Sequence, residues 1–169
     1  LAGDEVDVGE LGDGVAHLLR NDPARAEAAF SSLLQLARPL RGRGGSSADL
    51  PEALNNLAIA RARLRKWNEA FAALQRAAQL DPAEPDTWFN LGLAALRADE
   101  ASAAVRPFRE LLRRNPEDKQ ARALLILALD QAGRKAEADS ERESAPGGLS
   151  NYSLSTLAGL DRVRMKLEL

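Results

Sequence analysis

The apolar residues of this chain recur at helical spacing over most of its length. Between residues 51 and 80, two groups of apolar residues each share one face of a helix. The first group is Leu54, Leu57 and Ala58, and the second is Ala70, Leu74, Ala77 and Ala78. Short polar stretches that contain proline follow such segments, and proline cannot continue a helix. The pattern predicts antiparallel helix pairs at about 6–37, 51–80, 85–115 and 118–144.

The pattern also repeats at a fixed interval. Pro82 recurs as Pro116, and Ala70 recurs as Ala104, at the same distance along the chain. A constant period of about 34 residues indicates a repeat array, in which each unit buries its apolar face against its neighbours.

The repeat pattern is clearest in the stretch PDTWFNLGLAALRADEASAAVRPFRELLRRNP. Its characteristic residues are Trp88, Leu91, Gly92, Ala104, Phe108 and Pro116. It resembles the tetratricopeptide repeat, a helix–turn–helix unit of the same length as this period. The unit before it, PEALNNLAIARARLRKWNEAFAALQRAAQLDP, matches nearly as well. The resemblance implies an all-α fold over residues 1–149, namely a right-handed superhelical stack of antiparallel helix pairs, or α-solenoid.

The two ends of the array depart from the repeat. The interval from Ala26 to Ala70 is longer than one period, and the excess falls in a stretch rich in glycine and serine. Such a composition predicts a flexible loop at 41–50 without a bound ligand. Downstream, the second helix of the fourth pair is polar and has Arg142 at a position that is apolar in the preceding pairs. A polar last helix suits the solvent-facing end of an array.

The last eight residues, RVRMKLEL, alternate charged and apolar side chains as a half-buried strand does. Nothing in residues 1–150 predicts a neighbouring strand, so a lone strand would leave its backbone groups unpaired. A helix begun near Ser153 or Ser155 would instead present an apolar stripe, although Met165 and Leu169 fall off it. The stripe is Leu157, Leu160, Val163 and Leu167. We therefore predict that 150–169 form a helix on the end of the array, within one chain or exchanged between copies, rather than lying in the groove.

Composition excludes several classes of function. A formal net charge of −2 argues against a dedicated nucleic-acid binder. With no cysteine and His17 as the one histidine, a zinc or transition-metal site has too few ligands. The stretch GRGGSS lacks the preceding strand and the lysine of a phosphate-binding loop. No apolar run reaches the roughly 18 residues that span a bilayer. We expect no enzyme activity and no cofactor, in a soluble protein of the cytoplasm or, after processing, of the periplasm or exterior.

The resemblance implies that the first helix of each pair lines a concave face, which is where a ligand would bind. We predict ligand-binding residues on that face: Asn55, Asn56, Ile59, Arg63, Phe89, Asn90, Leu93, Arg97 and Leu127. An asparagine amide both donates and accepts, so it can hold a peptide backbone whatever its side chains are. The chaperone-binding members of the family need polar residues where Ile59 and Leu93 stand, so an apolar or amphipathic segment suits this face better.

These observations predict a scaffold that binds a protein or peptide partner. One alternative is a regulatory or targeting module of a larger enzyme. Another is a self-associating unit whose apolar surfaces meet another copy, and the tail offers a second route to a homo-oligomer.

Overall fold

The computed structural model describes residues 8–37, 50–145 and 163–166. This part of the chain forms eight α-helices and no strand, so the predicted all-α class is confirmed. The helices are α1 (Val8–Leu19), α2 (Pro23–Ala37), α3 (Pro51–Arg63), α4 (Trp67–Leu80), α5 (Pro85–Arg97), α6 (Ala101–Arg114), α7 (Lys119–Gln131) and α8 (Lys135–Glu143).

The helices fall into two compact units. The first unit contains α1 to α4, and the second contains α5 to α8 together with the tail residues 163–166. Within each unit, consecutive helices pack on one another, and the first helices of its two pairs also touch, α1 on α3 and α5 on α7. Each unit is therefore a short stack of two helix pairs. The predicted loop at 41–50 lies outside the described residues except for Leu50, which directly precedes α3.

The two helices of a pair pack closely where glycine faces phenylalanine. An ideal Cβ on Gly92 would lie 2.6 Å from Cζ of Phe108, and one on Gly14 would lie 2.4 Å from Cε1 of Phe30. Both phenylalanines are completely buried. The absent side chain of each glycine therefore provides the space that the ring of the following helix fills.

All four turns within the pairs have the same backbone geometry. The second residue after the first helix has a positive φ of 60° to 75° in each turn, and these residues are Asn21, Arg65, Asp99 and Gly133. In the second turn, the Arg65 N–H donates to Ala62 O and the Lys66 N–H donates to Arg61 O. This is the Schellman arrangement, which satisfies the last carbonyls of a helix and favours glycine at the left-handed position. Only the fourth turn has that glycine.

Replacing Arg65 with glycine is expected to raise the free energy of unfolding by about 0.5–1 kcal/mol, because glycine adopts the left-handed region without the steric penalty of a Cβ. Asp99→Gly should act in the same direction, and Gly133→Ala should lower stability by a similar amount. Urea unfolding followed by circular dichroism measures all three. A stabilising Gly133→Ala would contradict this explanation of the turns.

The predicted tail helix is wrong where the structure describes the tail. Residues 163–166 are not helical, and they form no strand. Val163 and Met165 are half-buried, whereas Arg164 and Lys166 are exposed. This exposure follows the two-residue alternation of the sequence, which an extended segment satisfies and a helix does not. The remainder of the predicted helix, 150–162 and 167–169, lies outside the described residues.

Candidate functional site

The described tail segment lies along α5 and not at the end of the helix stack, so its predicted location is also wrong. Five residues share one side of α5, because neighbouring members of the set are adjacent or are three or four positions apart. They are Asp86, Phe89, Asn90, Leu93 and Arg97. We call these five residues the α5 face. Polar and ring contacts join every member of this face except Leu93 to the tail.

Asn90 holds the backbone of Lys166 through two hydrogen bonds. Its Nδ2 donates to Lys166 O at 2.7 Å, and the Lys166 N–H donates to its Oδ1 at 2.7 Å. The same pair of bonds joins facing residues in an antiparallel sheet, with the side-chain amide here in the place of a neighbouring strand. Asn90 is completely buried in this arrangement. Because both bonds use backbone atoms of Lys166, they are independent of the side chain at that position.

Arg97 holds the same segment three residues earlier. Its Nη2 donates to Val163 O at 2.6 Å, in a bond strengthened by the guanidinium charge. Asn90 and Arg97 are separated by about 10 Å along the helix axis, at 1.5 Å per residue. Three residues of extended chain cover about 10 Å as well. The distance between the two bonding residues of α5 therefore matches the distance between the two bonded residues of the tail. Because the later residue of α5 bonds the earlier residue of the tail, the tail runs antiparallel to α5.

The Lys166 side chain reaches the N-terminal end of the α5 face. Its Nζ lies 2.9 Å from Oδ1 of Asp86 and 4.8 Å from the centroid of the Phe89 ring. Asp86 is not among the residues predicted from the sequence. The signal was present, since Asp86 lies one helical turn before Asn90 and so on the same side of the helix.

The remaining predicted residues are found in both units. In the first unit, Asn55 and Asn56 are completely buried, and Asn55 Nδ2 donates to Asn56 Oδ1 at 3.3 Å. Arg63 Nη1 donates to Leu18 O at 2.5 Å, so this guanidinium supports the end of α1. The aliphatic residues of the set are buried: Ile59 in the first unit, and Leu93 and Leu127 in the second.

Charged side chains elsewhere in the second unit are engaged with one another. Arg109 bonds to Glu137 at 2.5 Å, and Arg134 bonds to the same carboxylate at 2.7 Å. The hydrogen bond from Arg134, with that from Arg109, lowers the pKa of Glu137 to about 2. Within the described ranges, no three potential ligands cluster around a metal position, and no helix is long and apolar enough to cross a membrane.

Comparison with known proteins agrees with this architecture. Two family models, both described as tetratricopeptide repeat, match residues 51–84 and 89–147 and together cover more than half of the chain. Among solved structures, a crystal structure of MamA is similar with a TM-score of 0.68 at 20% identity, covering 95% of this chain and 84% of that one. A MamA from Desulfovibrio magneticus RS-1, beginning at its residue 41, gives a TM-score of 0.68 at 19% identity, covering 85% and 75%. No curated protein shows significant sequence similarity to the chain.

Proposed function

The chain belongs to the tetratricopeptide-repeat family, and from this premise we propose that it is a protein-interaction scaffold whose α5 face binds an extended peptide segment. Asn90 and Arg97 hold the backbone of that segment, and the half-buried positions of the segment supply apolar contact. The observation that carries the proposal is the pair of 2.7 Å hydrogen bonds between Asn90 and the backbone of Lys166.

The contacts of the tail support recognition of an amphipathic segment in particular. The polar atoms that Asn90 and Arg97 bond are backbone carbonyls and an N–H, which every peptide offers. Selectivity then comes from the alternate side chains, of which Val163 and Met165 are half-buried. A partner with apolar residues at every second position reproduces this pattern. No catalytic step is part of the proposal.

The seated tail also favours a second candidate function, which is self-association. A tail that fits its own α5 face fits the α5 face of another copy equally well. Exchange of tails between copies would make the oligomeric state depend on protein concentration. Sedimentation at several concentrations therefore separates a scaffold for other proteins from a self-assembling unit.

The binding test uses a labelled peptide of residues 162–169 and the full chain carrying Lys166→Pro. This substitution removes the N–H that donates to Asn90 and the ammonium group that pairs with Asp86. The chain's own tail then competes less well with the added peptide for the α5 face. Adding Asn90→Ala to that chain is expected to weaken peptide binding about 5- to 160-fold, since two hydrogen bonds worth about 0.5–1.5 kcal/mol each are lost. Fluorescence anisotropy measures the affinity.

Two controls make the binding result specific. Asn68→Ala removes an exposed asparagine on α4 and should leave the affinity unchanged. A peptide of the same composition in which the apolar residues no longer alternate with the charged ones should bind poorly, because every peptide offers the backbone groups and selectivity comes from the alternate side chains. The proposal fails if the peptide does not bind, or if Asn90→Ala and Asn68→Ala have equal effects.

A further inference from the structure

We propose that Asp86 and Phe89 form a subsite that selects a lysine side chain in the bound segment. This inference rests on the proposed function, since it concerns the same α5 face. The partner it implies is a protein segment that is extended, has alternating apolar residues, and carries a lysine at the position Asn90 holds. The occupant in the structure is Lys166, whose ammonium contacts both the Asp86 carboxylate and the Phe89 ring.

The backbone contacts fix which residue of a ligand meets this subsite. Asn90 bonds both the N–H and the carbonyl of one residue, so the residue that Asn90 holds is also the residue whose side chain meets the subsite. The side chain of that same residue reaches Asp86, one turn towards the N-terminus of α5. A ligand cannot shift along the face by one residue without losing either the Asn90 bonds or the placement of its cation.

The chemistry of the subsite suits an alkylammonium group. The carboxylate supplies a charged acceptor 2.9 Å from Nζ, and the ring face supplies a second, weaker attraction at 4.8 Å. Asp86 also lies in the first turn of α5, where the helix dipole favours a negative charge. A neutral side chain of equal length would gain neither interaction, and an acidic one would be repelled.

The repeat itself does not require this pair of residues. At the positions one period before and one period after, α3 has Glu52 and Asn55, and α7 has Gln120 and Ala123. Among these three first helices, α5 alone combines a carboxylate with an aromatic ring. The combination is therefore specific to α5 among these helices, and in the structure it meets the Lys166 ammonium.

The exposure of the pair limits how strong the selection is. The side chains of Lys166 and Asp86 are 45% and 35% exposed, so water and salt screen the ion pair. An exposed ion pair and an exposed cation–π contact together correspond to about 3- to 20-fold in affinity. We expect a preference of that size for lysine over an uncharged residue.

The test compares four peptides of residues 162–169 that carry lysine, arginine, acetyl-lysine or methionine at the position of Lys166. The receptor is again the full chain with Lys166→Pro. The lysine peptide is expected to bind about 3- to 20-fold more tightly than the acetyl-lysine and methionine peptides, and the arginine peptide should stay close to lysine. Raising the salt concentration should reduce the difference.

A second receptor that adds Asp86→Asn separates this inference from the proposed function. Within each receptor we take the ratio of the lysine and acetyl-lysine affinities, from which any residual competition by the tail cancels. The ratio should fall towards one in the Asp86→Asn receptor, while both peptides still bind. Equal binding of all four peptides to the first receptor would overturn the subsite and leave the α5 face standing. Failure of every peptide to bind would overturn the proposed function itself.

Discussion

Gly92→Ala is expected to lower the free energy of unfolding by about 1–3 kcal/mol, although alanine is the better helix former by about 1 kcal/mol. The new Cβ would lie 2.6, 2.7 and 2.8 Å from three ring atoms of Phe108. That ring is completely buried, and a close-packed interior gives it no space into which to move. The two helices of the pair must separate to relieve the clash. Urea unfolding followed by circular dichroism measures the change through the midpoint.

The chain offers matched controls for this substitution. Gly12 is also helical, but a Cβ there meets nothing within 4 Å, so Gly12→Ala should stabilise the protein slightly. The second pair has Ala58 and Leu74 at the positions of Gly92 and Phe108, and both are completely buried.

That natural combination predicts the result of a double substitution. Gly92→Ala with Phe108→Leu reproduces the alanine–leucine pair, and it should cost at least about 1 kcal/mol less than the sum of the two single changes. Additive effects would show that the methyl group and the ring do not compete for the same space.

The repeat fold could be predicted from the sequence because its period is carried by buried residues. Glycine and phenylalanine occupy equivalent positions in the first and third helix pairs, where the buried ring lies against the glycine. The turn geometry could not be predicted in the same way. Arg65 and Asp99 adopt a left-handed backbone conformation, although neither is a glycine. The equivalent residue of the fourth turn, Gly133, is the one whose type indicates this conformation in the sequence. There the hydrogen bonds of the helix ends override the preference of the individual residue.

The tail shows where the sequence argument failed. An extended tail was set aside because no strand edge was available to pair its backbone groups. In the structure, side chains take that role, since the Asn90 amide and the Arg97 guanidinium bond the backbone of 163–166. Asn90 uses both the donor and the acceptor of its amide to bond the backbone of Lys166. The segment that Asn90 bonds could not be identified from the sequence, because alternation of apolar and charged residues does not indicate which groups will bond the backbone of that segment.

The candidate site was predicted in part for a related reason. Asn90 and Arg97 lie one period after Asn56 and Arg63, so the repeat identifies them as equivalent positions. Equivalent positions in a repeat do not have to contact the same neighbours. Arg63 donates to Leu18 O in its own unit, whereas Arg97 donates to Val163 O of the tail. Asp86 was missed because it matters only once Lys166 is known to lie beside it.

Releasing the tail is expected to raise the affinity for an added peptide of residues 162–169 by about 10- to 100-fold. A tail on the same chain is present at an effective concentration of about 1 mM. If the free peptide binds with a Kd of about 10–100 μM, the attached tail occupies the α5 face in about nine-tenths or more of the molecules. The apparent Kd rises in inverse proportion to the fraction of unoccupied faces. Comparing the unaltered chain with Lys166→Pro by fluorescence anisotropy measures this ratio.

Arg164→Ala is the matched control, because it alters an exposed tail side chain and leaves the backbone groups bonded by Asn90 and Arg97 intact. It should change the affinity by less than about threefold, as suits an exposed side chain whose removal leaves the bonded backbone in place.

Hydrogen exchange measures the release of the tail from the α5 face directly. The Lys166 N–H should be protected in the unaltered chain, since Asn90 accepts its bond, and should lose protection in Asn90→Ala. If Lys166→Pro and Arg164→Ala bind the peptide as weakly as the unaltered chain, and the Lys166 N–H exchanges freely, then the attached tail does not compete for the α5 face.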